Sequence, residues 1–250
     1  MSTITRLYNL LHTGNPGDLE YYLRQCRPGM RVLELGAGAG RISAALHRLG
    51  CHVEGLDNDP HMCDAFHQTM FPLPSPPPCH LADMRTFDLG QKYDRILIPF
   101  NGLLCMLSEA DVVRVFQQAK AHLADEGELI FDVYYVPDDF ENDGIEDEAY
   151  IDTAVITDNG ASIEVYEKTL STDDPQRFDT SYIYVINAGT PEEKQMEHTI
   201  LQRCLYIHQI RRLLARTGFR TVRIRSDFSE ASTDWKPDEN TSQITVHAGV

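Results

Sequence analysis

Apolar residues along the chain fall into short runs separated by stretches of helical spacing, the pattern of strands alternating with helices. Arg31-Val-Leu-Glu-Leu35 is one such run followed by glycines, and Cys51-His-Val-Glu-Gly-Leu56 is a second that ends at Asp57. Both read as buried parallel strands, because a strand covered on both faces has no solvent side to fill with polar residues. Between them Ile42, Ala45, Leu46 and Leu49 recur at helical spacing, and Gly50 stands where a helix stop belongs. Asp59-Pro60 opens a further helix to about Thr69, with an acid as cap and proline at the position where a missing N–H costs least. The proline-rich stretch 72–78 is a loop. Residues 80–82, 93–98 and 128–133 supply the third, fourth and fifth strands, and Ser108 with Asp111 three positions later forms a variant capping box that starts a helix to about Leu123.

After Val136 the pattern changes. Segments near 149–157, 161–170, 178–187 and 194–205 are rich in Val, Ile, Tyr and Thr, and turn-like Asp158-Asn-Gly160, Asp173-Asp-Pro175 and Gly189-Thr-Pro191 separate them. This is the signature of an antiparallel meander. A helix from about Tyr206 to Thr217, stopped by Gly218, and strands near 222–226 and 243–247 close the chain. The expected class is α/β: a Rossmann-like, open, mostly parallel sheet with helices on both faces and right-handed crossovers, into which the meander is inserted.

Size and charge narrow the function. A chain of 250 residues can bury one full core, and 42% hydrophobic with 24% charged residues is an ordinary globular balance. The net charge of −16 opposes phosphate backbones, so nucleic acid is not an expected partner. Residues 138–179 hold 14 Asp or Glu against only Lys168 and Arg177. That reads as a solvated face, or as a field that draws a cationic or amine substrate. With no run of 18 apolar residues and no apolar stretch behind Arg6, the reading is a cytoplasmic protein with no membrane partner. The six cysteines form no C-x-x-C pair, so no metal site and no disulfide framework is expected, and they read as buried or idle thiols.

The candidate chemistry begins at Glu34-Leu-Gly36-Ala-Gly38-Ala-Gly40, at a strand-to-helix junction where glycines let a ligand approach the backbone and helix amides face it. Asp57 closes the next strand 21 positions after Gly36, the spacing for gripping two ribose hydroxyls. That spacing suits NAD and S-adenosyl-L-methionine alike. Two residues separate them: Arg41 occupies the place where a dinucleotide fingerprint needs Gly or Ala, and Glu34 suits the cationic, amine-bearing methionine end that NAD lacks.

Val32-Leu-Glu-Leu-Gly-Ala-Gly-Ala-Gly-Arg41 and Val53-Glu-Gly-Leu-Asp57 resemble the first two motifs of class I S-adenosylmethionine (SAM)-dependent methyltransferases. Leu81-Ala-Asp-Met84 is similar to the segment that holds adenine, and residues 93–102 to the fourth-strand motif that lines the methionine half. Gly17-Asp-Leu-Glu-Tyr-Tyr22 resembles the aromatic helix of the small-molecule subgroup that includes amino-sugar N-methyltransferases. The resemblance covers 8–136 well and 207–250 in outline. It implies a sheet of order 3-2-1-4-5-7-6, an N-terminal helical cap over 1–30, an inserted lid over 145–207, and SAM as cofactor. The cofactor contacts it implies are Gly36, Ala37, Gly38, Asp57 and Asn58, with Met62 against adenine, Asp83 and Met84 at its edge, and Phe100 and Tyr22 near the methyl donor; Glu34 joins them from the reading above. Ile98-Pro-Phe-Asn101 departs from the Asn/Asp-Pro-Pro-Tyr/Phe motif of enzymes acting on nucleobase amines.

The expected activity is methyl transfer to a small molecule, nitrogen ahead of oxygen, by a monomer or homodimer; the rivals are a non-catalytic SAM-binding module and an NAD-linked oxidoreductase. No catalytic residue is assigned. A hydroxyl or carbon acceptor would need a base, for which His198, His208, Tyr134, Tyr135, Tyr166, Tyr182, Tyr184 and Tyr206 are the candidates, whereas a neutral amine needs none. Tyrosines along strands also serve simply as sheet packing.

Overall fold

The computed structural model describes residues 1–137, 151–229 and 240–250. Residues 138–150, which carry the start of the acidic segment and the first part of the expected insertion, lie outside them. In chain order the elements are α1 (Thr3–Leu11), α2 (Asp18–Arg24), β1 (Arg31–Leu35), α3 (Arg41–Leu49), β2 (His52–Asp57), α4 (Pro60–Met70), β3 (Cys79–Leu81), β4 (Tyr93–Ile98) and α5 (Glu109–His122). There follow β5 (Leu123–Tyr134), β6 (Ile151–Asp158), β7 (Ala161–Ser171), β8 (Arg177–Ile186), β9 (Lys194–Arg203), α6 (Ile207–Arg216), β10 (Thr221–Ser226) and β11 (Gln243–Gly249). They divide into two compact units.

The larger unit holds residues 14–137 with the chain after residue 204. Its seven strands lie in the order β3-β2-β1-β4-β5-β11-β10. With the four meander strands left out of the count this is 3-2-1-4-5-7-6, the order the motifs imply. β11 runs antiparallel to β5 and β10, and the other pairings are parallel. Burial explains the unbroken apolar runs: Leu33 and Leu35 pack with Phe116, Phe131 and Leu213, whereas Val32 packs in a different cluster with Tyr22, Ile42 and Leu46. Alternate residues of one strand therefore serve two separate cores.

Local chemistry sets the helix ends as the sequence requires. Asp59 caps α4 by accepting from the His61 amide at 2.8 Å, and Ser108 caps α5 by accepting from the Asp111 amide at 3.1 Å. β5 starts five residues before the apolar run because Leu123 already pairs with Tyr93; the register against β4 then shifts before Arg95, and exposed Asp125 and Glu126 lie in that irregular stretch.

The smaller unit combines residues 1–13 with the meander. β6, β7, β8 and β9 pair antiparallel in sequence order. The β6–β7 turn uses Asn159 and Gly160, both with positive φ (49° and 83°), the geometry that matches strand twist in a two-residue hairpin. Ile163, Val165, Tyr182 and Tyr184 form its core with Leu7 of α1. The segment 1–30 thus contains two helices that go to different units, α1 to the meander and α2 to the parallel sheet. Among the described residues no helix is long and apolar enough to cross a membrane, and no cluster of three or more His, Cys, Asp or Glu could hold a metal ion.

Candidate functional site

The site lies at the carboxyl ends of β1, β2, β4 and β5, the edge where open α/β sheets bind ligands. β1 runs into a turn whose Gly36 and Ala37 amides both donate to the Leu56 carbonyl, at 2.8 and 3.0 Å, which pins the turn against β2. Gly38 has φ 53°, and a Cβ placed there would meet no atom within 4 Å: its backbone faces open space. Gly40, at φ 79°, is required for a different reason, since a Cβ would lie 2.7 Å from Met70 and Phe66 side-chain atoms.

Asp57, at the end of β2 and 9% exposed, closes this turn. One carboxylate oxygen accepts from the Gly38 amide at 2.8 Å and the other from the Asp59 amide at 2.9 Å. Burial pushes its carboxyl up, against the pull of those donors. The Asn58 amide also leans on this carboxylate, whose two oxygens offer about four acceptor positions between them, enough to leave room for a ligand hydroxyl. Asn58 beside it is exposed, and Met62, on the first turns of α4, is half-buried.

Glu34 is buried and turned onto α3. It accepts from the Ser43 amide at 2.9 Å and, closely, from the Ser43 hydroxyl. Gly40 precedes α3 at the capping position and has no side chain to cap it, so Glu34 supplies from β1 the acceptor that the helix start lacks. Burial, the largest influence, raises its pKa to about 7 against the Ser43 hydrogen bonds. Arg41 forms a two-pronged pair with Asp18 at the start of α2, at 2.8 and 2.5 Å, and its guanidinium fills the space beside Gly14. Asp83 accepts from the Arg85 amide at 2.8 Å and from the Arg85 guanidinium, which also reaches Asp111 at 3.2 Å. The Arg85 hydrogen bonds hold the Asp83 carboxyl below its ordinary range. The Met84 side chain approaches the backbone of Gly36, 3.4 Å from where a Cβ would stand.

Tyr22 is fully buried and its hydroxyl donates to Asp132 at 2.6 Å. Asp132, near the end of β5, is the functional group that reading the sequence missed. It also accepts from the Phe100 amide at 2.8 Å and the Asn101 amide at 3.0 Å. Phe100 and Asn101 both have positive φ, 54° and 59°, so this carboxylate holds a strained loop after β4 in place. Burial raises Asp132 to about 6 in spite of three donors. An acid closing an apolar strand, as at Asp57, is the signal that marks it. Asn101 is 3% exposed, and its side-chain oxygen is buried with no hydrogen-bond partner among the described residues.

Of the base candidates, Tyr166, Tyr182, Tyr184 and His198 belong to the meander unit. There His198 packs edge-on against Tyr8, and burial pushes the Tyr184 hydroxyl up to about 12. Tyr134 is exposed, Tyr135 packs on the larger unit's core, and Tyr206 at the start of α6 stacks on His208 with ring centres 5.6 Å apart. The glycine turn, Asp57 and Met84 lie together; Glu34, Arg41 and Asp83 are each engaged by a protein partner.

Residues 32–127 match the family model described as a methyltransferase domain. The ubiquinone biosynthesis O-methyltransferase of Xanthomonas campestris pv. campestris (strain B100) is 43% identical over 53 residues, 21% of this chain and 22% of that protein, so the chain matches about a fifth of the length of such curated relatives. Among solved structures, a S-adenosylmethionine-dependent methyltransferase from Clostridium acetobutylicum superposes with a TM-score of 0.78 at 14% identity, covering 99% of this chain and 97% of that one. SAM-bound CalS10, an amino pentose methyltransferase from Micromonospora echinaspora, superposes with a TM-score of 0.70 at 19% identity, with the same coverage. The fold is that of the class I SAM-dependent methyltransferases.

Proposed function

We propose that the protein transfers the methyl group of S-adenosyl-L-methionine to a small molecule, with an amine nitrogen as acceptor. The observation that carries the cofactor assignment is the Gly38 backbone facing open space beside Asp57, whose two oxygens are fixed by amides yet keep lone pairs for a ribose diol. Gly36, Ala37 and Gly38 offer backbone to the ligand, Asp57 and Asn58 take the ribose, and Met62, Asp83 and Met84 flank the adenine. Phe100 faces the methyl donor; Tyr22 acts there through Asp132, which fixes the Phe100 loop. Glu34 acts by anchoring the first turn of α3, whose amides face the same turn.

When bound, SAM supplies an electrophilic methyl group on a charged sulfur. The task of the protein is then to align the acceptor and exclude water. Asp57 and Asp132 are already committed to backbone amides and to the Tyr22 hydroxyl, so both serve to hold groups in place and not to withdraw a proton. An amine that reaches the site in its neutral form brings its own lone pair and needs no base. The acidic segment from residue 138 favours a cationic or amine-bearing molecule near the protein. Incubation with methyl-labelled SAM and a panel of small amines and alcohols tests the assignment: label on an amine supports it, and label confined to hydroxyls sinks the choice of nitrogen.

A further inference from the structure

Two thiols lie together beside the adenosine side of the site. Cys63 on α4 is 6% exposed and Cys79, which opens β3, is partly buried. The Cys79 thiol donates to the Cys63 sulfur at 2.9 Å, and the Cys63 thiol donates to the Asp57 carbonyl at 3.7 Å. Less than about 1 Å of movement brings the two sulfurs to the roughly 2.05 Å of a disulfide. The proline-rich loop between them spans the intervening chain, so the contact joins two elements that flank Asp57.

We propose that Cys63 and Cys79 form a dithiol modification site, converted to an intrachain disulfide by a small-molecule disulfide. The more accessible Cys79 thiolate attacks one sulfur of the reagent RSSR, forming a mixed disulfide and releasing RS⁻. The Cys63 thiolate then attacks the Cys79 sulfur, forming the Cys63–Cys79 bond and releasing the second RS⁻. The two cysteine protons end on two RSH; the protein loses two electrons and the reagent gains them. Burial pushes both thiols up, which makes the first attack slow at neutral pH, while the short sulfur–sulfur distance makes the second fast. The cross-link removes the thiol that donates to the Asp57 carbonyl and ties α4 to β3. Resting on the reading that this edge of the sheet takes adenosine, it weakens binding of the demethylated cofactor, S-adenosylhomocysteine.

The test uses the full chain carrying Cys105→Ser, which removes the exposed thiol, treated with oxidised glutathione at pH 8.5. Free thiols are expected to fall from five to three, with mass spectrometry locating a Cys63–Cys79 cross-linked peptide. The further variant Cys79→Ser is expected to keep all four of its thiols. Retention of five thiols, or a glutathione adduct that persists on Cys79 without cross-linking, overturns the proposal. Calorimetry with S-adenosylhomocysteine is expected to show at least threefold weaker binding to the oxidised form. Equal affinity of the two forms overturns the coupling to the site, whereas no binding to the reduced form counts against the cofactor assignment and leaves the thiol chemistry standing.

Discussion

Replacing Asp57 by Asn separates its two duties. In the folded chain one oxygen accepts from Gly38 and the other from Asp59. An amide side chain keeps one acceptor and turns its NH₂ toward the other backbone N–H, leaving a buried donor unpaired at a cost of about 1–3 kcal/mol. The same change removes the burden of a buried charge, which burial already disfavours here, so net stability falls by about 1 kcal/mol, a drop of roughly 2–4 °C in melting temperature for a chain this size. Ligand binding loses more. One ribose hydroxyl loses a charged acceptor worth about 1.5–3 kcal/mol, equal to a roughly 10- to 100-fold weaker affinity. Titration calorimetry with S-adenosylhomocysteine and with 5′-methylthioadenosine reads this, and because both ligands carry the ribose they are expected to weaken equally. An affinity within twofold of the parent protein, with the melting temperature lowered, would show that Asp57 holds only the glycine turn and would refute its role in gripping a ligand.

Asn101→Gly keeps the positive φ and deletes the buried, unpartnered side-chain oxygen; S-adenosylhomocysteine should bind about tenfold more weakly while 5′-methylthioadenosine, which lacks the amino-acid end, changes less than twofold by calorimetry. Gly40→Ala forces a Cβ onto Phe66 and Met70 in a left-handed backbone and should cost about 2–4 kcal/mol in urea unfolding. Glu34 has a folded pKa of about 7, above its ordinary value, so its contribution to stability is full below about 4.5 and is lost as pH rises through 7; Glu34→Gln should flatten the unfolding free energy between pH 5 and 8 by up to about 3 kcal/mol. His12 moves oppositely: burial and then His198 lower it to about 4, so the stability it contributes is present above about 6.5 and lost as pH falls through 4, and urea unfolding of His12→Gln should lose that acid sensitivity.

The strand-helix alternation, the glycine turn and Asp57 were legible because each rests on spacing within about twenty residues. Period-two and helical patterns name the elements, and a carboxylate at the end of a buried strand has few purely structural uses. What escaped the sequence depends on contacts between distant residues. Asp132 carries the same strand-end signal as Asp57, but its partners Tyr22, Phe100 and Asn101 come to it only on folding. Arg41 finds Asp18 twenty-three positions earlier, and Glu34 turns to Ser43 and not outward. The first thirty residues look like one helical segment, yet α1 joins the meander and α2 the parallel sheet, a division set by the partners of Leu7 and Tyr22 and invisible in local periodicity. The cysteines show no motif because Cys63 and Cys79 meet only through the packing of α4 on β3.

Transfer of a methyl group from SAM to a small amine is the reaction proposed for this protein. Methyl-labelled SAM, the purified chain and a small-molecule extract, separated by cation exchange, test it directly. Label moving into a retained, low-mass amine, and failing to move with Asp57→Asn at a cofactor concentration near the parent's Kd, is the predicted result. A folded chain that binds S-adenosylhomocysteine yet leaves every count on the cofactor would contradict it.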